Sequence, residues 1–177
     1  MSESTGSAGL SPRFDHIGLA VRDAAAAAHL FIDVLGGQFI LGGDNHDTDN
    51  RVVQIGLGGS KVELLQPLTE RSALHGFLRK RGEGFHHATF VVEDLERAIE
   101  TCVEASFPVT QTDLANPTWR ETFLSPRVTG GPLLQLVSTD RSWTDPVDGV
   151  DLRGVLAGAV EFQQAWPVPR GDLEVEK

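Results

Sequence analysis

The stretch Gly82-Glu-Gly-Phe-His-His-Ala-Thr-Phe-Val-Val-Glu-Asp94 contains two adjacent histidines followed by a mostly apolar run. It ends at an acidic residue that can cap a helix. The same pattern occurs earlier, in Asp15-His-Ile-Gly-Leu-Ala-Val-Arg-Asp23. An offset of 71 residues superposes His16 on His87 and both acidic caps on each other. A repeat of this length predicts that the fold is one module written twice.

The composition is typical of a soluble globular protein, with 40% hydrophobic and 23% charged residues in a chain of 177. A net charge of −10 argues against a nucleic-acid partner, which requires basic surface opposite the phosphates. No apolar run approaches the ~20 residues of a membrane helix, and the N-terminus does not resemble a signal peptide. The single cysteine, Cys102, excludes an internal disulfide. We therefore expect a cytoplasmic protein without a membrane partner.

Helix caps, turn residues and alternating apolar residues divide the chain into five segments. They are a disordered tail (1–12), a first β-α-β-β-β module (13–68), a helical connector (69–84), a second β-α-β-β-β module (85–138) and a C-terminal extension (139–177). Within the extension, residues 152–166 predict a helix, although Gly154 and Gly158 weaken that pattern. The predicted fold class is α+β, with two paired modules.

The repeat also relates potential ligands on the last strand of each module. His16 precedes Glu63 by 47 residues, and His87 precedes Gln135 by 48. If the modules pair about a pseudo-twofold axis, these four side chains converge on one point. Two imidazoles, a carboxylate and an amide oxygen suit a divalent Co, Ni, Zn, Mn or Fe ion. The sequence therefore predicts a metal site between the two modules.

Each of these four residues, considered alone, could have a purely structural role. The metal site is favoured only because the ligands recur at equivalent positions of the two modules. His86 follows the strand period of two, so we expect its side chain to face away from that of His87. The three other histidines have no counterpart in the opposite module and are predicted to lie outside the site: His29, His46 and His75.

Several segments resemble the vicinal oxygen chelate (glyoxalase/bleomycin resistance/extradiol dioxygenase) superfamily: Asp15–Val21, Val62–Leu68, Phe77–Gly84 and Phe85–Phe90. Within that superfamily, Phe123-Leu-Ser-Pro-Arg127 followed by Gly130-Gly-Pro-Leu-Leu-Gln-Leu136 is most similar to methylmalonyl-CoA epimerases. The resemblance covers residues 13–138. It implies an eight-stranded cup around a divalent metal, with the four ligand places taken by His16, Glu63, His87 and Gln135.

The resemblance further implies an isomerase, epimerase or lyase that works through a metal-stabilised enolate on a small molecule, with an acyl-CoA among the candidate substrates. Gln54 and Gln135, however, occupy places where epimerases commonly carry glutamates, and an amide cannot take a proton from a carbon acid. Glu63 and Glu121 offer a replacement if the acid–base pair has moved across the pseudo-twofold axis. Glu121 is approximately the counterpart of Gln54, and the alternative role for it is that of an exposed strand carboxylate.

Two further functions remain open. His16, His87 and Glu63 form the two-histidine, one-carboxylate set of non-haem iron dioxygenases. The same scaffold also serves non-catalytic binding and resistance proteins.

Other features bear on the substrate and the assembly. The basic run Arg79-Lys-Arg81 suits either the phosphates of an acyl-CoA or a solvated helix end, and three tryptophans could line an apolar pocket: Trp119, Trp143 and Trp166. We expect a homodimer, with the modules paired either within one chain or between two.

Overall fold

The structure is a computed structural model that describes residues 10–141, 144 and 146–172. In this part of the chain ten strands form one mixed sheet. They are β1 (Arg13–Ala20), β2 (Gln38–Asn45), β3 (Asn50–Leu57), β4 (Ser60–Pro67), β5 (Gly84–Val91), β6 (Val109–Asp113), β7 (Arg120–Leu124), β8 (Leu133–Ser138), β9 (Val160–Gln163) and β10 (Trp166–Pro169). Residues 1–9 of the predicted tail and Trp143 lie outside the described residues.

The described helices connect these strands without interrupting the sheet. They are α1 (Ala24–His29, continued by a π-helical turn at Leu30–Val34), α2 (Ala73–Arg81), α3 (Leu95–Glu104), α4 (Pro126–Thr129) and α5 (Leu152–Leu156). A 3-10 turn follows at Arg170–Asp172. Among the described residues, no helix is long and apolar enough to cross a membrane.

The strand order is β10-β9-β2-β3-β4-β1-β5-β8-β7-β6. β1 and β5 are the antiparallel pair at the centre, and each is parallel to the last strand of its own repeat, β4 or β8. The two repeats therefore pair within one chain. The predicted α+β fold is confirmed, and its eight strands are extended to ten by the hairpin β9–β10.

The repeated acidic residues begin the two crossover helices as the sequence predicts. The Asp23 carboxylate accepts hydrogen bonds from the backbone N–H groups of Ala25 and Ala26, and that of Asp94 accepts one from Arg97. These bonds satisfy donors that the first helical turn leaves free.

The C-terminal extension differs from its prediction. The helix expected over residues 152–166 ends at Leu156, and Gly158, with φ of 72°, takes a left-handed conformation that favours glycine. The chain then turns back as the hairpin β9–β10, which lies against β2. The helix prediction was wrong because Val160, Phe162 and Trp166 are residue types that favour strands, and because a neighbouring strand edge was available.

The extension is part of the hydrophobic core of the first repeat. Val155 and Val160 are buried in the same cluster as Val53 of β3. Arg51 links the first repeat to the C-terminal extension by hydrogen bonds. Its guanidinium donates to the Asp44 carboxylate and to the backbone oxygen of Leu156, with N–O distances of 2.7 Å in both cases.

We expect Val155→Ala to lower the free energy of unfolding by about 2 kcal/mol, because it removes two buried methyl groups and leaves a small cavity. Val34→Ala is the matched control. The Val34 side chain is 64% exposed, so this substitution should change the free energy of unfolding little. Urea unfolding followed by circular dichroism measures both. Equal losses in the two variants would contradict a core that includes the extension.

Candidate metal centre

The four predicted ligands lie on four adjacent strands at the centre of the sheet. His16 is on β1, Glu63 on β4, His87 on β5 and Gln135 on β8, and all four are buried. The register of β1 with its two neighbours brings these side chains together, because Gly18 of β1 lies opposite both Glu63 on β4 and His87 on β5.

Three of these side chains form a compact cluster. The Glu63 Oε2 atom lies 3.6 Å from His16 Nε2 and 3.6 Å from His87 Nε2. One ligand atom from each of the three residues lies within 4.8 Å of the others. Ligands at about 2.1 Å from a divalent ion are separated from each other by roughly 3–3.5 Å, so a small contraction would suit such an ion. The residues present therefore fit a divalent metal.

Gln135 reaches this cluster through Thr89. The Thr89 hydroxyl donates to Gln135 Oε1 at 2.6 Å and lies 3.0 Å from His16 Nε2. The amide nitrogen of Gln135 points the other way and donates to Glu121 Oε2 at 2.6 Å. The amide oxygen is thus turned toward the histidine side of the cluster, which suits the predicted role as a fourth ligand.

Asp15 and Lys61 support His16 from behind. Asp15 Oδ2 lies 2.8 Å from His16 Nδ1 and 2.8 Å from Lys61 Nζ. Burial acts to raise the pKa of Asp15, but the hydrogen bonds from His16 and Lys61 outweigh it and lower the pKa to about 2. An ionised carboxylate on Nδ1 fixes the ring and turns Nε2 toward the cluster.

The cluster carries one close pair of opposite charges. Burial acts to lower the pKa of His16, but the charges of Glu63 and Asp15 and their hydrogen bonds raise it to about 9. Burial acts to raise the pKa of Glu63, but the His16 charge lowers it to about 2. Burial lowers the pKa of His87 to about 4, so this imidazole is neutral at pH 7. Glu63 and His87 are therefore in the protonation states that metal ligands require.

Glu121 lies beside the cluster and not on the surface. Its half-buried carboxylate accepts hydrogen bonds at Oε2 from the Trp119 indole, at 2.8 Å, and from Gln135. Burial raises the pKa of Glu121. The alternative of an exposed strand carboxylate is therefore wrong.

The register also corrects the sequence alignment of the two repeats. Gln54 lies opposite Glu63, whereas Phe123 lies opposite Gln135. Phe123 is therefore the exact counterpart of Gln54, and Glu121 is two residues away on the same face of its strand. The contacts are nevertheless analogous, because Gln54 Nε2 donates to Glu63 Oε1 at 3.0 Å just as Gln135 contacts Glu121.

The surroundings of the two histidines differ at one pair of positions. An offset of 71 relates Gly18 to Thr89, and the antiparallel register places Thr89 opposite His16 and Gly18 opposite His87. A Cβ atom added at Gly18 would lie 2.2 Å from Cε1 of His87 and 2.3 Å from its Nδ1. Only glycine leaves space for that imidazole.

The remaining histidines do not enter the cluster. His86 does not face away from His87 as expected, because its Nδ1 lies 3.1 Å from Nδ1 of His87 and its ring packs edge-on against Phe77. His29 pairs with Asp33 in an exposed helix, and His46 lies near Glu161.

Sequence reasoning missed Thr89, Asp15 and Lys61. Asp15 and Thr89 carried a signal, since each lies on a ligand-bearing strand next to, or two residues from, a predicted ligand. Lys61 also lies two residues from a predicted ligand, Glu63, but its contact with Asp15 depends on the parallel pairing of β1 with β4.

We expect His87→Ala to lower the affinity for Co²⁺ or Ni²⁺ by roughly a hundredfold, since it removes one ligand from the compact cluster. His29→Ala is the control, because that histidine is exposed and remote from the cluster. Metal analysis after dialysis and titration calorimetry measure the change. Equal metal content in both variants would contradict the site.

Gly18→Ala should also weaken metal binding, since the added methyl group must displace the His87 ring. Gly76→Ala in α2 is the matched control, because a Cβ atom there meets nothing within 4 Å. The same titrations compare the two variants. If they bind the metal equally well, the close packing of Gly18 on His87 does not position the ligand.

One family model and several related proteins match this chain. The family model described as Glyoxalase/Bleomycin resistance protein/Dioxygenase superfamily matches residues 15–123. Protein YqjC of Bacillus subtilis is 32% identical over 127 residues, 70% of this chain and 90% of that protein. An ethylmalonyl-CoA/methylmalonyl-CoA epimerase of Cereibacter sphaeroides is 38% identical over 94 residues, 52% of this chain and 70% of the relative. The chain spans 57% of the human mitochondrial methylmalonyl-CoA epimerase at 33% identity, where 56% of this chain is matched.

Solved structures share the fold. A Bacillus halodurans protein, BH1468, has a TM-score of 0.70 and 28% identity, with 75% of this chain and 97% of that chain covered. A Streptomyces coelicolor methylmalonyl-CoA epimerase in complex with 2-nitronate-propionyl-CoA has a TM-score of 0.67 and 28% identity, with 75% and 100% covered. The chain belongs to the glyoxalase/bleomycin resistance protein/dioxygenase superfamily.

Proposed function

We propose that this chain is an epimerase-like isomerase that moves a proton at a carbon next to a carbonyl group, with an acyl-CoA thioester as the substrate class. The observation that carries the proposal is the half-buried Glu121 carboxylate beside the cluster of two histidines and one carboxylate. The epimerase relatives support the reaction type, since their names specify ethylmalonyl-CoA and methylmalonyl-CoA.

A divalent metal would be held by His16, Glu63 and His87, with the amide oxygen of Gln135 as a fourth ligand. When bound, such an ion acts as a Lewis acid that polarises a carbonyl oxygen and makes the neighbouring C–H group more acidic. Identifying the ion requires metal analysis, because this donor set suits several divalent metals.

Glu121 is the proposed base. Its Oε2 atom is held by two N–H donors, those of Trp119 and Gln135, and no donor contacts Oε1 within the described part of the chain. Oε1 is therefore the atom that takes the proton from the substrate carbon. The raised pKa of this carboxyl brings it closer to neutral pH, where proton uptake by a general base is more effective.

Glu63 is the proposed partner on the opposite side of the reacting carbon. Its Oε1 atom accepts a hydrogen bond from Gln54, which leaves Oε2 directed at the two imidazoles. An epimerase must remove a proton from one face and return a proton to the other, so two groups are required. Glu63 is ionised, so it must first take up a proton from solvent before it can return one to the carbon. Gln54 and Gln135 position these two carboxylates and exchange no proton with the substrate themselves.

Glu121→Gln should lower turnover of methylmalonyl-CoA by about a hundredfold or more, because the amide cannot accept the proton. Exchange of the substrate C2–H with solvent deuterium, followed by proton NMR, measures this directly. Metal content should stay unchanged. Glu100→Gln is the control, since that carboxylate is on the exposed face of α3. Full exchange in Glu121→Gln would eliminate Glu121 as the base.

A dioxygenase is the second candidate. The observation that favours it is the composition of the compact cluster, because His16, His87 and Glu63 are the ligand types of non-haem iron oxygenases. Oxygen consumption by the iron-loaded protein, without proton exchange at the substrate carbon, would favour this reaction over isomerisation.

A further inference from the structure

The C-terminal hairpin reaches from the first repeat to the second. β9 pairs with β2, whereas the turn between β9 and β10 meets the segment before β7, where the Thr118 hydroxyl donates to the backbone oxygen of Gln164 at 3.2 Å. Trp119 packs in one apolar cluster with Phe162 and Trp166 of the hairpin. The hairpin thus spans the two ends of the eight-stranded unit formed by the repeats.

This hairpin adjoins the candidate metal centre through one side chain. The Trp119 ring lies in the apolar cluster with Trp166, and its indole N–H donates to the Glu121 carboxylate. The Trp119 side chain therefore contacts both the apolar cluster at the hairpin and the Glu121 carboxylate.

An open cavity of about 690 Å³ lies at the hairpin. Its lining combines one cation, two amides, an aromatic ring and an aliphatic group: Arg141, Gln163, Gln164, Trp166 and Val168. The family match ends at residue 123, so all five residues lie beyond it.

Arg141 is the charged group of this cavity. Its guanidinium carbon lies 4.4 Å from the centroid of the Trp166 ring, a cation–π contact that holds the side chain in place. Among the residues that the structure describes, no carboxylate lies within ion-pair distance of this guanidinium. In a chain with 25 acidic and 15 basic residues, a positioned arginine with no acidic partner among the described residues favours an external anion.

The turn that carries Gln164 is fixed by its backbone conformation and by a contact with Thr118. Gln164 and Ala165 have φ of 47° and 63°, a left-handed conformation that costs about 1 kcal/mol or more for each non-glycine residue. Two such residues in a two-residue turn match the twist of a hairpin, and the Thr118 contact holds the turn in position.

We propose that this cavity is a subsite for an anionic group, a phosphate or a carboxylate, carried by the ligand whose other end reaches the metal centre. The Arg141 guanidinium supplies the charge and paired N–H donors, and the amides of Gln163 and Gln164 supply further donors. That this ligand is the substrate rests on the proposed function; that the cavity binds an anion does not.

Titration calorimetry with the full, metal-loaded chain tests the proposal, with coenzyme A and methylmalonate as separate probes. We expect Arg141→Met to weaken binding of at least one probe by about tenfold, because a charge-assisted contact is lost. Arg153→Met is the matched control, since Arg153 is exposed in the same extension and outside the cavity. Circular dichroism and the melting temperature confirm that both variants fold.

The two probes separate the sources of the anion. A loss confined to coenzyme A assigns the cavity to a phosphate, a loss confined to methylmalonate assigns it to a carboxylate, and a loss of both also supports the subsite. Unchanged affinity for both probes in Arg141→Met, or no binding of either probe by the unaltered protein at millimolar concentration, overturns the proposal. Neither result depends on turnover, so a failed epimerase assay leaves the subsite standing.

Discussion

The antiparallel pairing of β1 with β5 is the constraint on which the candidate site depends. It places His16 opposite Thr89 and His87 opposite Gly18, while the parallel partners β4 and β8 bring Glu63 and Gln135 to the same place. A shift of one residue between β1 and β5 would place the ligands of the two repeats on opposite faces of the sheet. The Gly18 contact makes such a shift costly, because only glycine accommodates the His87 ring at that position.

Burying several ionisable groups in one sheet is expensive unless their charges are compensated. The structure compensates them in two pairs, Asp15 with Lys61 and Glu63 with His16, while His87 stays neutral. A divalent cation bound between Glu63 and the histidines in place of the proton on His16 would raise the net charge of these groups by one.

Much of this arrangement can be predicted from the sequence, because comparison of the two repeats identifies equivalent residues even when no contact is known. The 71-residue offset predicted both helix caps, both histidines and the strands that carry them. The contacts of Thr89 and Lys61 could not be predicted, since they cross between strands whose pairing the sequence does not specify. Glu121 was aligned two residues away from its exact counterpart for the same reason. The hairpin β9–β10 was missed because short apolar runs fit a helix or a strand, and the edge of β2 decided between them.

That hairpin also changes what the molecule can do at the end of its sheet. An exposed strand edge normally offers a row of free N–H and C=O groups to another chain. Here β10 is the outermost strand on this side, and two of its four residues are Pro167 and Pro169. Proline has no N–H group, and the period of two puts both prolines on the same side of the strand. Addition of a further strand at this end of the described sheet is therefore disfavoured, because half of the residues of β10 carry no N–H donor.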